Sequence, residues 1–546
     1  MNPRRPFLRC LILLCALAFG GDSVALANDT PPVPDTPLAQ LLTQNNAPFD
    51  GYALNKIELL QLYQTRSFYP VWDTQSATGR EAIAAFLESM KAYAAYHGLD
   101  EKHFAFPLIA PLLDKPDDAA ARLKLEVLMT DSLFKLAHRI HGDGVTLAYL
   151  YAGWPFTRPA PSYVAEIAAA IKDNKLNEYF TAQAPSDLDY TRLAATLKDY
   201  RAMRAKGAWP LVTQGDTIRL GDKSPRLASI RARLEAEDYA VPMLAEGVDP
   251  LLYTQELMAV VIDYQVRHGL DADGNIGAKT IAAMNVPLDE RIGQIIANME
   301  RKRHMAQVFP VRYAIVNIAN TTVQIIENGQ RVYYAPVITG RTIRKTPFIQ
   351  SVIRSVIFNP SWHVPAKIAR EDILPKLQKD PHYLEKMGFV INGSADDPHG
   401  DAIDWNEISK SEFNFRLRQA PGELNSLGRI KFDFDNDFSV YMHGTPHEEL
   451  FAKADRHLSS GCVRLQDPVA FAVFVLSDNE GDWTPETVQA EIDKAHTHWL
   501  KVANPLPLFI VYETVYFPTA ESAPHFAPDV YNYDRILLDA LGKMER

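Results

Sequence analysis

The chain has 546 residues, of which 47% are hydrophobic and 23% are charged. These values are typical of globular proteins, and the length predicts two to four domains rather than one. The formal net charge of −11 gives no reason to expect nucleic acid as a partner.

The first 27 residues have the three parts of a signal peptide. A basic region over residues 4–9 precedes the apolar run 10–20, and Ala25-Leu26-Ala27 forms an A-x-A cleavage site. The apolar run is too short for a comfortable membrane span, and no later stretch is long and apolar enough for one. We therefore expect export, with an uncleaved N-terminal anchor as the alternative.

A proline-rich segment and a helical region follow. Residues 28–48 are predicted to be a linker because prolines recur along them. From 49 to 224 apolar residues recur at helical spacing, which predicts a helical domain, and no catalytic constellation is visible there. Trp154 and its aromatic neighbours are either core residues or a binding surface, and core packing is favoured.

Residues 225–290 show a different pattern. Gln265 is followed by Gly269-Leu270 and then by Asp273-Gly274. This order resembles the small helical peptidoglycan-binding module, although Tyr264 stands where that module usually has Phe. The glycines and Asp273 serve turns, so the motif indicates a fold rather than a ligand contact. Carbohydrate binding and a purely architectural role both remain open.

From residue 311 to residue 517 the pattern becomes mostly β. Asn328-Gly329 predicts a type I′ hairpin turn between two strand-like runs. Residues 366–423 interrupt the strand pattern and are predicted to be an insertion that caps a site. Residues 518–546 are predicted to be a tail with a short helix, to which no function is attached.

The stretch 438–468 carries the residue types of a thiol nucleophile and its base. Both signal-peptide cysteines would leave on cleavage, so Cys462 is the sole cysteine of the mature chain and cannot form an internal disulfide. His443 ends an alternating segment that predicts a strand over 438–443, and Gly461 would let a carbonyl approach the backbone amides. A cysteine nucleophile needs a lowered pKa or an adjacent base. A reactive thiol is therefore favoured over an inert buried cysteine.

This stretch resembles the L,D-transpeptidases with a YkuD-type catalytic domain. Their His-Gly-Thr and Ser-x-Gly-Cys-x-Arg segments stand here as His443-Gly444-Thr445 and 459–464. Most members have His before the Gly-Cys pair, whereas this chain has Ser460, as in the large periplasmic YcbB-type branch. Residues 68–72 resemble the N-terminal scaffold domain of that branch, and 359–365 resemble a signature at the start of its lid.

The resemblance implies a multidomain α+β fold, with a helical scaffold domain (49–224), a small helical peptidoglycan-binding module and a mostly-β catalytic domain (311–517) with a lid insertion. It implies Cys462 as nucleophile and His443 as base. The Gly444 carbonyl would orient the histidine, and the backbone at Gly461 would bind the oxyanion. The candidate substrate-binding residues are Arg464, Tyr441, Ser460 and Trp362. The planar fork of Arg464 could bind a substrate carboxylate or form a structural ion pair. Tyr441 could border the pocket or pack in the core, and Ser460 could bond the substrate or shape the turn.

The implied activity is 3→3 crosslinking of peptidoglycan stem peptides in the periplasm of a Gram-negative bacterium, without a cofactor or metal. The partners would be stem peptides and cell-wall synthesis proteins, with the membrane involved only if the signal peptide is retained. Rival activities are L,D-carboxypeptidation, lipoprotein attachment, D-amino-acid exchange, and a non-catalytic wall-binding scaffold.

Two alternatives concern the histidines. His443, His447 and His457 with Cys462 could form a zinc site, but Gly444 and the proline that follows argue against the helix that such histidine spacing requires. His457 is close enough in sequence to Cys462 to be a reserve base.

Overall fold

The computed structural model describes residues 36–43, 49, 51–305 and 309–543. The predicted signal peptide and the first residues of the predicted linker lie outside these ranges. Within them, no helix combines the length and the apolar character that crossing a bilayer requires.

The N-terminal part is entirely helical. Its long helices begin at side-chain caps: Ser76 accepts from the Gly79 amide, and Asp118 accepts from the amides of the first turn of its helix. The helices are Pro37–Thr43 (α1), Lys56–Thr65 (α2), Ala77–Tyr96 (α3), Phe106–Leu113 (α4), Ala119–His141 (α5), Leu147–Leu150 (α6), Tyr163–Lys172 (α7), Leu176–Gln183 (α8) and Leu188–Lys206 (α9), with a 3-10 turn at Glu101–His103.

The predicted linker is wrong over residues 37–43. Residues 37–43 form α1, and its leucines Leu38, Leu41 and Leu42 are buried in the hydrophobic core of the N-terminal helices. The prolines of this segment predict a linker, but its leucines form an apolar face that packs against the N-terminal helices.

Part of the N-terminal region belongs to the core of the β domain. Tyr151 and Phe156 are buried among strand residues, and Trp154 packs beside them. The Trp154 ring lies 4.8 Å from the Phe348 ring, centroid to centroid, in an edge-to-face contact. The aromatic cluster is therefore core packing, and it attaches the helical region directly to the β domain.

Four helices connect the two regions: Leu227–Ala236 (α10), Gln255–Arg267 (α11), Ala278–Met284 (α12) and Leu288–Arg303 (α13). α10 to α12 share a core that extends upstream to Val212. Gln265 explains the motif, since its side-chain amide donates to Asp273 and Thr280 while its oxygen accepts from the Gly274 amide. These contacts fix the turn, which is the architectural use of the motif.

The C-terminal part is built on a nine-stranded sheet. The order is β10-β3-β11-β9-β8-β4-β12-β1-β2, and β2 also pairs with β3, so the sheet closes on itself. Its strands are Arg312–Asn317 (β1), Thr322–Glu327 (β2), Gln330–Gly340 (β3), Ile349–Phe358 (β4), Ile430–Phe434 (β8), Met442–His443 (β9), His457–Ser459 (β10), Val463–Leu465 (β11) and His498–Val511 (β12). The helical N-terminal and mostly-β C-terminal fold class is confirmed.

Two local predictions have different outcomes. Asn328 and Gly329 both have positive φ, 51° and 75°, and they join β2 to β3, which confirms the hairpin turn. The strand predicted over 438–443 is wrong over most of its length, because β9 covers only its last two residues. The Asn436 side chain bonds the backbone of residues 438 and 440, which holds this segment in a turn.

The insertion (residues 366–423) is a compact unit with its own core rather than a polar loop. With the preceding strand it forms a three-stranded sheet in the order β5-β7-β6. Its elements are Trp362–His363 (β5), Ala366–Ile368 (α14), a π-helical turn at Ala369–Ile373, Leu374–Leu377 (α15), Tyr383–Lys386 (α16), Phe389–Ile391 (β6) and Leu417–Gln419 (β7). Tyr441 packs against this core from the main sheet.

The remaining elements close the β domain. They are the 3-10 turn Glu448–Ala452, Pro468–Leu476 (α17), Pro485–Asp493 (α18), Val515–Tyr516 (β13), His525–Phe526 (β14) and Tyr533–Lys543 (α19). α17 begins at Pro468, and the Asp467 carboxylate caps it by accepting from the Ala470 amide. The short helix predicted in the C-terminal tail is confirmed as α19. The described part of this tail packs against the β domain, because Tyr531, Tyr533 and Leu537 are buried in its core.

Candidate active site

The strand register brings the predicted site residues onto one face of the sheet. β9 runs parallel to β11, with Met442 beside Val463 and His443 beside Arg464. The Val463 amide donates to the Tyr441 carbonyl, at 3.1 Å. Met442 and Val463 are fully buried, so the alternating side chains of Tyr441, His443, Cys462 and Arg464 lie on the opposite face.

His443 is held in one orientation and one tautomer. Its ring is buried, and Nδ1 donates to the Gly444 carbonyl oxygen at 2.5 Å. A neutral imidazole that donates from Nδ1 has Nε2 as an acceptor. Burial, together with the neighbouring Arg464 cation, lowers the pKa of His443 to about 3. At neutral pH the ring is therefore uncharged and able to accept a proton.

The Gly444 turn depends on a glycine that the sequence pattern did not single out. Gly428 has φ +64°, and a Cβ placed there would lie 2.6 Å from the Thr445 nitrogen and 2.7 Å from the Gly444 carbonyl carbon. The Gly444 amide also donates to the Ile430 carbonyl, at 3.0 Å. Only a glycine lets the start of β8 approach the histidine turn this closely.

Cys462 lies on a turn held by side-chain hydrogen bonds. Gly461 has φ +117°, a region that favours glycine. The Ser459 hydroxyl donates to the Cys462 carbonyl at 2.6 Å and accepts from the Gly461 amide at 3.1 Å. Thr346 donates to the Gly461 carbonyl at 2.8 Å. The Gly461 amide is thus engaged, and binding an oxyanion there would require it to exchange the Ser459 hydroxyl for the substrate.

The thiol is half-buried and neutral in the resting protein. Burial raises the pKa of Cys462, and contacts with Tyr441 and the Arg464 and Lys431 cations offset this only in part. No hydrogen bond joins Cys462 to His443 among the described residues. Tyr441 lies next to both, with its hydroxyl at the thiol and its ring 5.6 Å from the His443 ring. Catalytic contacts are often long before substrate binds, so this spacing is compatible with a thiol and its base.

Comparisons with known proteins identify two domains of the chain. Residues 311–488 match the family described as YkuD, the L,D-transpeptidase catalytic domain. The chain carries a YkuD-type L,D-transpeptidase catalytic domain. Residues 58–197 match the family described as the scaffold domain, and together the two domains have the YcbB-type architecture, which confirms the family predicted from the motifs.

Two individual proteins are similar over part of the chain. A protein of Haemophilus influenzae named "Putative L,D-transpeptidase" is 33% identical over 223 residues, which is 40% of this chain and 44% of that protein. The crystal structure of an L,D-transpeptidase (Yku) from Stackebrandtia nassauensis shares 12% identity and covers 55% of this chain and 96% of its own, at a TM-score of 0.21. A likeness at that score has no bearing on the fold.

Within the transpeptidase domain, the remaining predicted residues border the thiol. Arg464 has no carboxylate within ion-pairing distance in the part of the chain that the structure describes, so it is available to an anionic ligand. The Ser460 hydroxyl accepts from Arg344 at 2.8 Å and from Arg341 at 3.1 Å. Trp362 is buried in the core of the insertion and lies next to the Tyr441 hydroxyl.

The other histidines lie apart from the thiol. His457 Nδ1 bonds the Asp455 carboxylate at 2.9 Å, and Nε2 bonds the Ile318 carbonyl at 3.0 Å, so both of its nitrogens are engaged. His447 is exposed beside Glu449. The described residues contain no group of three histidine, cysteine or acidic side chains arranged to hold a metal ion.

Proposed function

We propose that the protein is a peptidoglycan L,D-transpeptidase that forms 3→3 crosslinks between stem peptides through a Cys462 thioester. The observation that carries the proposal is the Nδ1 contact of His443 with the Gly444 carbonyl, which leaves Nε2 as an acceptor on the sheet face that carries the thiol. The matched catalytic domain supports the reaction class.

The first half-reaction is acylation of the thiol. As substrate binds, the Cys462 proton passes to His443 Nε2 while the sulfur attacks the carbonyl carbon of the L-centre that precedes the terminal D-residue. Backbone amides at the Gly461 turn stabilise the oxyanion. His443 then returns the proton to the departing amine, the C–N bond breaks, and a thioester remains on Cys462.

The second half-reaction transfers the acyl group. The side-chain amine of a diamino acid in a neighbouring stem attacks the thioester and gives its proton to His443. The C–S bond breaks, an amide bond forms, and the proton returns to the sulfur. No redox step or external cofactor enters the balance.

Incubation with a defined disaccharide tetrapeptide, followed by mass spectrometry, tests the proposal. A crosslinked dimer is expected. A tripeptide alone would instead identify an L,D-carboxypeptidase, with water as acceptor. Incorporation of an added D-amino acid, or attachment of a lipoprotein-derived amine, would identify the corresponding exchange or anchoring activity. If no product forms with any of these acceptors, a non-catalytic wall-binding scaffold would be the remaining alternative.

The acylation rate should depend little on pH between 5 and 7. Because burial lowers the pKa of His443 to about 3, its Nε2 remains an acceptor throughout this range, and the thiol stays neutral. A histidine base with the ordinary pKa of about 6.5 would be neutral in only about one molecule in thirty at pH 5. The probe is a carbapenem, which the family resemblance implies should acylate Cys462 because its strained amide carbonyl mimics the scissile bond. The measurement is the rate at which this adduct forms, followed by intact-protein mass. A rate that falls steeply below pH 6.5 would contradict the neutral, low-pKa imidazole.

Periplasmic location is part of the proposal and rests on the signal-peptide pattern of residues 1–27. Protein recovered from its native host should begin at Asn28, as read by N-terminal peptide mass spectrometry. Recovery of a chain that still carries residues 1–27 in the membrane fraction would replace the soluble periplasmic form with an anchored one.

A further inference from the structure

Two arginines beside the nucleophile turn are held by carboxylates of the insertion. Arg341 and Arg344 follow β3, and both guanidinium groups donate to the Ser460 hydroxyl, two residues before Cys462. The Arg341 amide also donates to the Ser459 carbonyl, at 3.0 Å. The two cations are thereby part of the wall that leads to the thiol.

Two carboxylates of the insertion contact further donors of these arginines. Arg344 Nη1 and Nη2 donate to the two Asp372 oxygens at 2.5 and 3.1 Å, and Nη2 also donates to Glu371 at 2.5 Å. Arg341 lies 3.8 Å from Asp372. Bidentate arginine–carboxylate contacts are strong and geometrically specific. Both acids lie on the π-helical turn Ala369–Ile373, a local conformation that is frequent at functional sites.

The cations at this wall outnumber the anions that face them. Glu371 and Asp372 face Arg344 and Arg341, whereas Arg464 faces no carboxylate among the described residues. The Arg341 Nε atom is buried and has no hydrogen-bond partner in those residues. Donors for a further carboxylate are therefore present at the wall, beside the Arg344 donors that the two acids of the insertion contact.

We propose that Arg341 and Arg344 form a carboxylate-binding position of the substrate site, and that Glu371 and Asp372 occupy it until a substrate carboxylate displaces them. The inference rests on the proposed function, because stem peptides carry free carboxylates. An arginine that exchanges one carboxylate for another keeps its charge-assisted hydrogen bonds, whereas opening the insertion without a replacement breaks the bonds of Arg344 to both acids.

This exchange makes access to Cys462 depend on the charge of the ligand. Only a ligand that interacts differently with the open and closed insertion can shift its equilibrium. An anionic peptide does so by taking over Arg344, and a neutral analogue of the same size does not. The insertion thus selects anionic donors as well as covering the site.

Alkylation of Cys462 in the full-length protein tests this directly. Iodoacetate and iodoacetamide both transfer a substituted methyl group to the sulfur with loss of iodide, but only iodoacetate carries a carboxylate. In E371Q/D372N the ratio of the iodoacetate rate to the iodoacetamide rate should rise about fivefold over wild type, because two competing charges are removed. R344M should lower the ratio below the wild-type value. Intact-protein mass separates the two adducts.

The matched control is E480Q/D482N, which removes the same two charges from exposed positions in the loop between α17 and α18. Its ratio should equal that of wild type, apart from long-range charge effects that added salt removes. An E371Q/D372N ratio equal to that of this control would overturn the proposal. If R344M proves unfolded by its thermal midpoint, R344K replaces it, since lysine keeps the charge but lacks the bidentate fork and should also lower the ratio.

Alkylation does not require transpeptidase activity, so the two proposals can fail separately. If wild type turns over a tetrapeptide donor, R344M should raise KM about tenfold or more with a smaller change in kcat. Turnover with an unchanged KM would overturn the carboxylate position and leave the proposed function intact. Absence of turnover by wild type would overturn the proposed function, and the alkylation ratio would still decide the role of Arg344.

Discussion

Cys462→Ser should remove essentially all acyl transfer, a loss on the order of 10³-fold or more. A serine hydroxyl is a far weaker nucleophile than a thiol beside a neutral imidazole, and the other two cysteines, Cys10 and Cys15, lie in the predicted signal peptide. The measurement is crosslinked dimer formed per hour from defined tetrapeptide, together with the carbapenem adduct by intact-protein mass. The thermal midpoint should stay near that of wild type, since the change deletes little apolar surface.

His443→Ala should have an effect of comparable size, about 10²- to 10⁴-fold on the acylation rate. Its effect should not add to that of Cys462→Ser, because the two residues act as one unit. His457→Ala is the control: both ring nitrogens of His457 are engaged by Asp455 and Ile318, so this variant should keep most of the activity. If His457→Ala were the more damaged variant, the base would have to be reassigned to His457.

Gly428→Ala should lower kcat by about 10²-fold, because it displaces the turn that orients His443. The added Cβ would stand 2.6 to 2.9 Å from the backbone of Gly444 and Thr445, so this turn must move. Gly444 supplies the carbonyl that fixes His443 Nδ1, and a moved carbonyl releases the ring from its orientation. The positive φ adds about 1–2 kcal/mol of backbone strain. Steady-state crosslinking and thermal unfolding measure the two effects.

Gly481→Ala separates the displacement from the strain. Gly481 also has positive φ, at +95°, but a Cβ there meets no atom within 4 Å. This variant should show the stability loss without the kinetic loss. Equal crosslinking by Gly428→Ala and wild type would mean that the histidine keeps its orientation without the Gly444 turn, and would remove Gly428 from the supports of the site.

The protonation states of Cys462 and His443 in the resting site determine when the proton is transferred. Thiol and imidazole are both uncharged, since burial raises the pKa of Cys462 and lowers that of His443. Under the proposed function the proton therefore moves only when a substrate carbonyl is present, rather than from a preformed thiolate–imidazolium pair. Such a site reacts slowly with small electrophiles and gains its reactivity from substrate binding.

Much of the architecture could be read from the sequence. Apolar residues at helical spacing predicted the helical N-terminal region, and Asn328-Gly329 predicted its hairpin because both residues tolerate positive φ. Asp467 and Pro468 are residue types that favour an N-cap and a first helical position, and α17 begins there for the same kind of local reason. The sequence indicates His443 and Cys462 as a candidate base and nucleophile because a histidine, glycines and a cysteine lie close together along the chain. These signals are local, and local conformational preference is what a single sequence records best.

The rest was decided by tertiary structure, because it depends on residues far apart in the chain. Strand register, which no local pattern specifies, sets Tyr441, His443, Cys462 and Arg464 on one face. Burial by distant elements, not sequence neighbours, determines the protonation states of the thiol and the imidazole. No motif marks Gly428, Arg344 or the C-terminal segment that contains Tyr531 and Tyr533. Their roles arise only because folding brings them against the histidine turn, the nucleophile turn and the core, respectively.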